Sequence, residues 1–264
     1  GFAGTMPTGS VISVDRTGRP DKNIVAGFGD RHAQRPAFVV AVTWRSRRAS
    51  SATMASMVKL AKNFRSFADL AAAYERDRDY RIVRLQRSGS KVAIVAPHGG
   101  SIEAHTSDIA RDIAGQDFNL YLFEGLLKAG NFAALHLSSH RFDEPECLDL
   151  LSACRSVVSV HGCGHAGEIV LMGGRDVVLR ESIGERLRVL GVECETAPGG
   201  LDAADPMNVC NRGRGGAGVQ LEVSLALRRS PRRALLVRAV REALLVATGL
   251  TAGQEVGHRR GEGQ

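Results

Sequence analysis

Residues 91–115 read KVAIVAPHGGSIEAHTSDIARDIAG and predict a strand, a tight turn and a helix in succession. The apolar run 91–97 ends at Pro97, as is typical of a buried strand. Thr106 or Ser107 can cap a helix that continues to about Ala114. A buried strand followed by a helix is the repeating unit of α/β folds.

The same alternation of strands and helices continues to residue 249. Apolar runs predict further strands at 119–125, 133–139, 157–162, 168–174 and 219–224. Capped or amphipathic segments predict a helix that follows Ser66 and further helices at 144–155, 175–191 and 230–249. Together these elements predict the α/β class, as a three-layer α/β/α sandwich around a mixed β-sheet.

Composition divides the 264-residue chain into three parts. Residues 1–56 show no sustained period of 3.6 or 2, so we expect a disordered extension or a start codon assigned too early. Residues 57–250 are expected to form a single catalytic α/β domain. The Gly-rich, charged residues 251–264 predict a disordered tail.

The net charge of +7 is concentrated at the two ends of the chain. Residues 1–53 carry eight Lys or Arg against three Asp, and residues 228–264 carry eight Arg against three Glu. Residues 54–227 carry 19 basic and 22 acidic residues. A nucleic-acid binder is expected to interleave basic groups with aromatics, and aromatics make up 5% of this chain. We therefore expect no nucleic-acid partner.

Cysteine usage and apolar runs favour a cytoplasmic protein. The five cysteines form no CxxC pair, so reduced thiols are the simpler interpretation. No apolar run approaches the ~20 residues of a membrane span, and no N-terminal segment has the pattern of a secretion signal. We expect no membrane partner and a cytoplasmic location, with release by lysis if the gene is of phage origin; the oligomeric state stays open.

Candidate catalytic groups stand on three predicted strands. His98 follows the first, and a pair of glycines permits a sharp reversal that points Glu103 at the same metal ion. His161 ends a second strand, and Glu222 lies in a third between apolar neighbours. Histidine and glutamate are ligands of catalytic zinc, which keeps one position for water. A lone histidine after a strand is more often a surface or capping residue, and Glu222 could instead face solvent or a salt-bridge partner.

Five segments carry a family resemblance: HGGSIEAHTSDIA, LYLFEGLLKAGN, LHLSSHRFDEPECL, SVHGCGHAGEIVLMGG and NVCNRGRGGAGVQLEVS. In order and spacing, over roughly residues 64–229, they resemble the phage-type poly-γ-glutamate hydrolases. The resemblance implies a zinc carboxypeptidase-like fold, one Zn²⁺ per chain and cleavage of γ-glutamyl amide bonds. It also implies that His98, Glu103 and His161 are the zinc ligands and that Glu222 is the catalytic carboxylate.

The implied reaction is attack on the amide carbonyl by a metal-activated water, with Glu222 as general base and then general acid. Each unit of poly-γ-glutamate carries a free α-carboxylate, so an enzyme for this polymer needs cationic anchors. Arg212 and Asn211, shortly before the strand of Glu222, are the first substrate-binding candidates. Arg214 and Arg175 come next.

Two other functions stay open on the sequence. A zinc amidohydrolase or deacylase of a small N-acyl amino acid, or a γ-glutamyl peptidase of peptidoglycan, would use the same four residues with a different pocket. A non-enzymatic basic nucleic-acid-binding protein is the remote alternative that the Arg-rich ends favour. Cys163 and His165 are further metal candidates near His161, and Cys163 is expected to be a bystander. Ligand-supporting or structural roles are open for His105, His136 and His140.

Overall fold

The computed structural model describes residues 64–249, so the expected extension 1–56 and tail 251–264 lie outside the described residues. The strands are β1 Tyr80–Leu85, β2 Val92–Gly100, β3 Asn119–Gly125, β4 Ser156–Cys163, β5 Ile169–Gly173, β6 Glu193–Thr196 and β7 Val219–Ser224. The α-helices are α1 Phe67–Ala71, α2 Thr106–Ala114, α3 Asn131–Leu135, α4 Pro145–Ser152, α5 Val177–Val189, α6 Leu225–Arg229 and α7 Arg233–Thr248. Two 3₁₀ helices span Ser139–Arg141 and Val209–Asn211.

The strands form one seven-stranded sheet in the order β1-β3-β2-β4-β7-β5-β6. The four central strands β3, β2, β4 and β7 are parallel to one another. β1 is antiparallel to β3, and β5 is antiparallel to β7. The predicted mixed sheet is therefore confirmed, with a parallel centre and antiparallel pairings towards its edges.

Helices cover both faces of the sheet because alternate strand residues point to opposite sides. In β2, Val92 and Ile94 belong to one core, which also contains residues of α2, α5 and α7. Ala93 and Val95 belong to a second core, which contains residues of α1, α3 and α4. The sheet and the two sets of helices packed on it through these cores are the three layers of the predicted α/β/α sandwich.

The predicted strand at 133–139 is wrong, because the end of α3 and the start of the first 3₁₀ helix lie in this segment. Asn131 closes a turn before α3: its Oδ1 accepts from Leu127 N at 2.9 Å and its Nδ2 donates to Leu127 O at 2.7 Å. β1 pairs with β3 at this edge of the sheet, and its arginines Arg81 and Arg84, three residues apart, interrupt the apolar pattern of the strand in the sequence. In residues 64–249, no helix is long and apolar enough to cross a membrane.

Candidate metal centre

The parallel strands β2, β4 and β7 bring the candidate residues to one edge of the sheet. Glu222 in β7 is the register partner of His161 in β4. His98 lies where β2 changes register against β3, between Ala96 and Gly99. The carboxyl ends of parallel strands are where α/β sheets bind ligands.

The two glycines after His98 permit a backbone path that a side chain would block. A Cβ at Gly99 would overlap the Ser107 hydroxyl, and Gly100 has φ +62° with Gly125 O 2.6 Å from the place of a Cβ. The chain then reverses, and Glu103 N donates to His98 O at 2.9 Å. This reversal is the one that the glycine pair predicted.

His98, Glu103 and His161 form the cluster among the described residues that could hold a metal ion, with ligand atoms all within 4.8 Å of one another. His98 Nδ1 lies 3.1 Å from His161 Nδ1 and 3.2 Å from Glu103 Oε1. Glu103 Oε2 accepts a hydrogen bond from Gly162 N at 2.7 Å. All three side chains are buried, so water does not screen their charges.

The hydrogen bond at the far side of His98 sets its tautomer. His98 Nε2 lies 2.8 Å from Leu137 O, and a carbonyl can only accept, so Nε2 carries the hydrogen. In the neutral ring, the lone pair is then on Nδ1, which points at His161 and Glu103. A backbone carbonyl on the outer nitrogen is a common way to orient a metal-binding histidine.

The pKa values of the three groups in this cluster shift in different directions. Burial works against charge on His98, but the Glu103 carboxylate outweighs it and raises the pKa of His98. Burial likewise opposes ionisation of Glu103, yet His98 lowers the Glu103 pKa to about 2. Burial and the charge of His98 lower the pKa of His161 to about 3, so His161 is neutral. The site therefore offers the Glu103 carboxylate and the neutral His161 imidazole beside a second imidazole, His98, whose pKa is raised.

Glu222 is a buried carboxylate whose pKa shifts in the opposite direction to that of Glu103. Its Oε1 accepts from Gln220 Nε2 at 2.8 Å, and Gln220 Oε1 in turn accepts from Asn208 Nδ2 at 3.0 Å. Burial, and then the charge of Glu103, raise the pKa of Glu222 to about 7. A carboxyl group with a pKa near neutrality can both accept and return a proton.

Of the other histidines, His136 lies nearest to the cluster. Its ring stacks on His98 with centroids 4.0 Å apart, and its Nε2 lies 3.8 Å from Glu103 Oε1. Burial and His98 lower the His136 pKa to about 4, so it is neutral beside the cluster. Cys163 instead contacts Glu222 O through its thiol at 3.6 Å, and His165 is exposed.

Asn211, a predicted substrate-binding residue, lies before β7 with its side-chain amide hydrogen-bonded to backbone groups. Its Nδ2 donates to Ala203 O and Asp205 O at 2.8 and 2.9 Å, while its Oδ1 accepts from Gly218 N and Arg175 N. All four hydrogen-bonding positions of the amide are thus occupied by backbone. Asn211 holds its loop together, and a contact with substrate would have to break one of these bonds.

Arg214 lies on the approach to β7 rather than beside Glu222. Arg214 N donates to Cys154 O at 2.7 Å, near the start of β4. This places Arg214 towards the end of the sheet opposite to the metal cluster. Arg212 is half-buried, and its side chain makes no ion pair or hydrogen bond within residues 64–249.

Sequence reasoning missed Arg228, which is buried in α6 next to the end of β7. Its charge and those of Glu103 and Glu222 act on each other. One feature of the sequence could have indicated its burial. Arg228 stands only four residues after Ser224, the last residue of the buried strand β7 and the N-cap of the five-residue helix α6, and directly after the buried Leu227.

The chain is similar in sequence to known proteins. The family described as poly-gamma-glutamate hydrolase matches residues 64–237. The chain is 32% identical over 192 residues to the UPF0714 protein YndL of Bacillus subtilis strain 168, across 66% of this chain and 74% of YndL. It is 38% identical over 141 residues to the SPbeta prophage-derived protein YoqZ of the same organism, across 53% of this chain and 51% of YoqZ.

Two solved structures are also similar. A bacteriophage poly-gamma-glutamate hydrolase superposes with a TM-score of 0.68 at 30% identity, covering 72% of this chain and all of that chain (100%). A structure of YndL described as the zinc-free apo form gives a TM-score of 0.66 at 28% identity, covering 70% of this chain and 98% of that chain. The seven-stranded sheet and its helices thus correspond to a known fold.

Proposed function

The chain belongs to the poly-γ-glutamate hydrolase family, and on this premise we propose that it is a zinc-dependent hydrolase of γ-glutamyl amide bonds. The observation that carries the proposal is the convergence of His98, Glu103 and His161 within 4.8 Å, beside the buried Glu222. Two imidazoles and one carboxylate are a ligand set of catalytic zinc.

The arrangement of nitrogen atoms supports a cation. Since Nε2 of His98 donates to Leu137 O, the Nδ1 lone pair faces Nδ1 of His161 at 3.1 Å. Two ring nitrogens at this distance repel each other unless a proton or a metal ion lies between them. We propose that one Zn²⁺ per chain takes this place, with His98, Glu103 and His161 as ligands. The similarity to YndL, of which a zinc-free form has been solved, supports the choice of metal.

A bound zinc would polarise the scissile carbonyl and lower the pKa of water towards about 7. Glu222, the register neighbour of His161, takes a proton from the attacking water. The carboxylic acid that results then returns this proton to the nitrogen of the leaving amine. The hydrogen bond from Gln220 orients the carboxylate for both transfers.

The substrate carries one free carboxylate in each γ-glutamyl unit, so the protein needs a cation that is not already paired. Arg212 meets this condition, because its half-buried side chain has no ion pair within residues 64–249. Guanidinium binds a carboxylate through two parallel hydrogen bonds. We therefore keep Arg212 as the proposed anchor and assign Asn211 to the support of its loop.

Replacing the proposed base tests the mechanism without removing the ligands. In Glu222→Gln, we expect zinc content near one ion per chain and a loss of hydrolysis by a factor of about 10²–10⁴, as for removal of a general base. Zinc is measured by elemental analysis, and hydrolysis by the viscosity of a poly-γ-glutamate solution with and without a chelator.

Glu193→Gln is the matched control, because Glu193 is an exposed carboxylate on β6. It should leave both zinc content and viscosity loss as in the unaltered chain. Turnover that survives in Glu222→Gln would exclude Glu222 as the base. A zinc-loaded chain that leaves the polymer intact but cuts a small N-acyl or γ-glutamyl amide would move the substrate to the small-molecule class.

A further inference from the structure

Arg228 is a buried cation, 5% exposed, that has no ion-pair partner among residues 64–249. Its Nε donates to Val223 O at 3.0 Å, and its Nη1 donates to Ala104 O. An arginine keeps its charge when it is buried, and burial of a charge is costly unless its hydrogen-bonding groups are used. A buried guanidinium that binds two carbonyls from distant parts of the chain is therefore expected to have a task.

The flat side of the guanidinium packs against Gly162. A Cβ at this position would lie 2.7 Å from Cζ and Nη2 of Arg228, so any other residue would displace the side chain. Gly162 is itself tied to the metal cluster, because its N–H donates to Glu103 Oε2 at 2.7 Å. Arg228 thus reaches the cluster through both the loop of Ala104 and the end of β4.

The three contacts share one property: each contacted residue directly follows a proposed functional residue. Ala104 follows Glu103, Gly162 follows His161, and Val223 follows Glu222. These three residues belong to three separate segments, the loop before α2 and the ends of β4 and β7. Arg228 is a single side chain that touches the backbone of all three.

From these contacts, and resting on the proposed function, we propose that Arg228 is a positioning residue that fixes the spacing of Glu103, His161 and Glu222. Its side chain does not coordinate the metal or touch the reacting atoms in this proposal. It acts through the backbone beside each group. A positioning residue behind metal ligands is expected to change metal affinity by about 10–100-fold when it is replaced.

The geometry requires arginine rather than lysine. The planar guanidinium directs Nε to one carbonyl and Nη1 to another while its face lies on Gly162. The ammonium of lysine has a single nitrogen on a flexible stem and no flat face. Arg228→Lys therefore keeps the charge but cannot hold both carbonyls in the same positions.

The test compares Arg228→Lys with Arg229→Lys, since Arg229 is the exposed neighbour on the same helix. Zinc affinity is measured by competition with a chromophoric chelator, and site geometry by the visible absorption of the Co²⁺-substituted protein. We expect Arg228→Lys to bind zinc about 10–100-fold more weakly and to shift the Co²⁺ bands. Arg229→Lys should match the unaltered chain in both.

Gly162→Ala disturbs the same contact by adding a Cβ against the guanidinium, and it keeps Arg228. It should weaken zinc binding and shift the Co²⁺ bands in the same direction, so the proposal stays testable if Arg228→Lys does not fold. Circular dichroism establishes which variants are folded. A folded Arg228→Lys or Gly162→Ala with unaltered zinc affinity and Co²⁺ spectrum overturns the role of Arg228 alone. Failure of the unaltered chain to bind either metal overturns the proposed function and, with it, this inference.

Discussion

Two glutamates lie at the same site and have opposite acid–base character because their surroundings differ. Glu103 lies against His98, and the positive charge there lowers its pKa to about 2 despite burial. Glu222 has no such partner, and burial together with the Glu103 charge raises its pKa to about 7. A permanently ionised carboxylate suits a metal ligand, whereas one that titrates near neutrality suits proton transfer.

The hydrogen bond from Gln220 is expected to set the lower pH limit of activity. Because it favours the ionised form of Glu222, its loss in Gln220→Met should raise the pKa of Glu222. Catalysis needs Glu222 ionised, so the acid limb of kcat/KM should move to higher pH by about one unit. A bound cation would lower the pKa in both proteins, so the difference between their pH profiles is the measured quantity.

Gln116→Met provides the comparison, because Gln116 is an exposed glutamine in the turn after α2. Its acid limb should coincide with that of the unaltered chain. An acid limb that stays in place in Gln220→Met would show that another group controls the pH dependence.

At the level of single residues, sequence spacing predicted which side chains would meet but not what holds them there. His98, His161 and Glu222 stand on or just after strands whose apolar character is plain in the sequence, and parallel strands share an edge. Arg228 contacts Ala104, which is 124 residues away. No local pattern encodes such a contact, since only the folded chain brings α6 and the loop of Ala104 together.

The turn between β2 and α2 is the element that joins the metal cluster to the sheet. It requires Gly100 for two separate reasons, a left-handed backbone and the close approach of Gly125. Left-handed backbone alone costs a residue with a Cβ about 1–2 kcal/mol. The overlap with a backbone carbonyl adds to this cost, because a main-chain atom cannot move aside easily.

Gly100→Ala should therefore destabilise the protein by roughly 2–4 kcal/mol. Gly89→Ala is a matched control, because Gly89 also has a positive φ, +79°, but no atom lies within 4 Å of the place that a Cβ would take there. It should cost about 1–2 kcal/mol, the backbone contribution alone. Urea unfolding measures both, and equal losses would mean that the contact with Gly125 does not constrain the turn.

Strands could be predicted from the sequence where a run of apolar residues is also buried in the fold. The strands at 119–125 and 219–224 are confirmed residue for residue, because both are buried along their whole length. β1 was missed because its two arginines interrupt the apolar pattern of a strand. Both form ion pairs with residues far away in the sequence: Arg81 binds Glu124 and Arg84 binds Asp149. The error at 133–139 has a local origin, since the Asn131 side chain closes a turn with Leu127, four residues earlier, where α3 begins.

Over the whole molecule, Phe64 and Leu70 belong to one of the two described cores. Because residues 1–56 show no sustained period of 3.6 or 2, we expect a chain that lacks them to keep its melting temperature and zinc content. A chain that lacks residues 1–72 should lose stability, because α1 and the fully buried Leu70 are removed. Calorimetry of the two truncated chains decides this, and a large loss in the shorter deletion would place residues 1–56 within the fold.

The fit between Gly162 and Arg228 also has an evolutionary consequence. Because a Cβ at 162 and a guanidinium at 228 exclude each other from the same space, the two positions are expected to change together among related proteins. Lineages that gain a side chain at 162 should replace the arginine, and lineages that keep the arginine should keep the glycine. Such paired substitutions would be the evolutionary trace of the contact by which Arg228 of α6 binds the ends of β4 and β7.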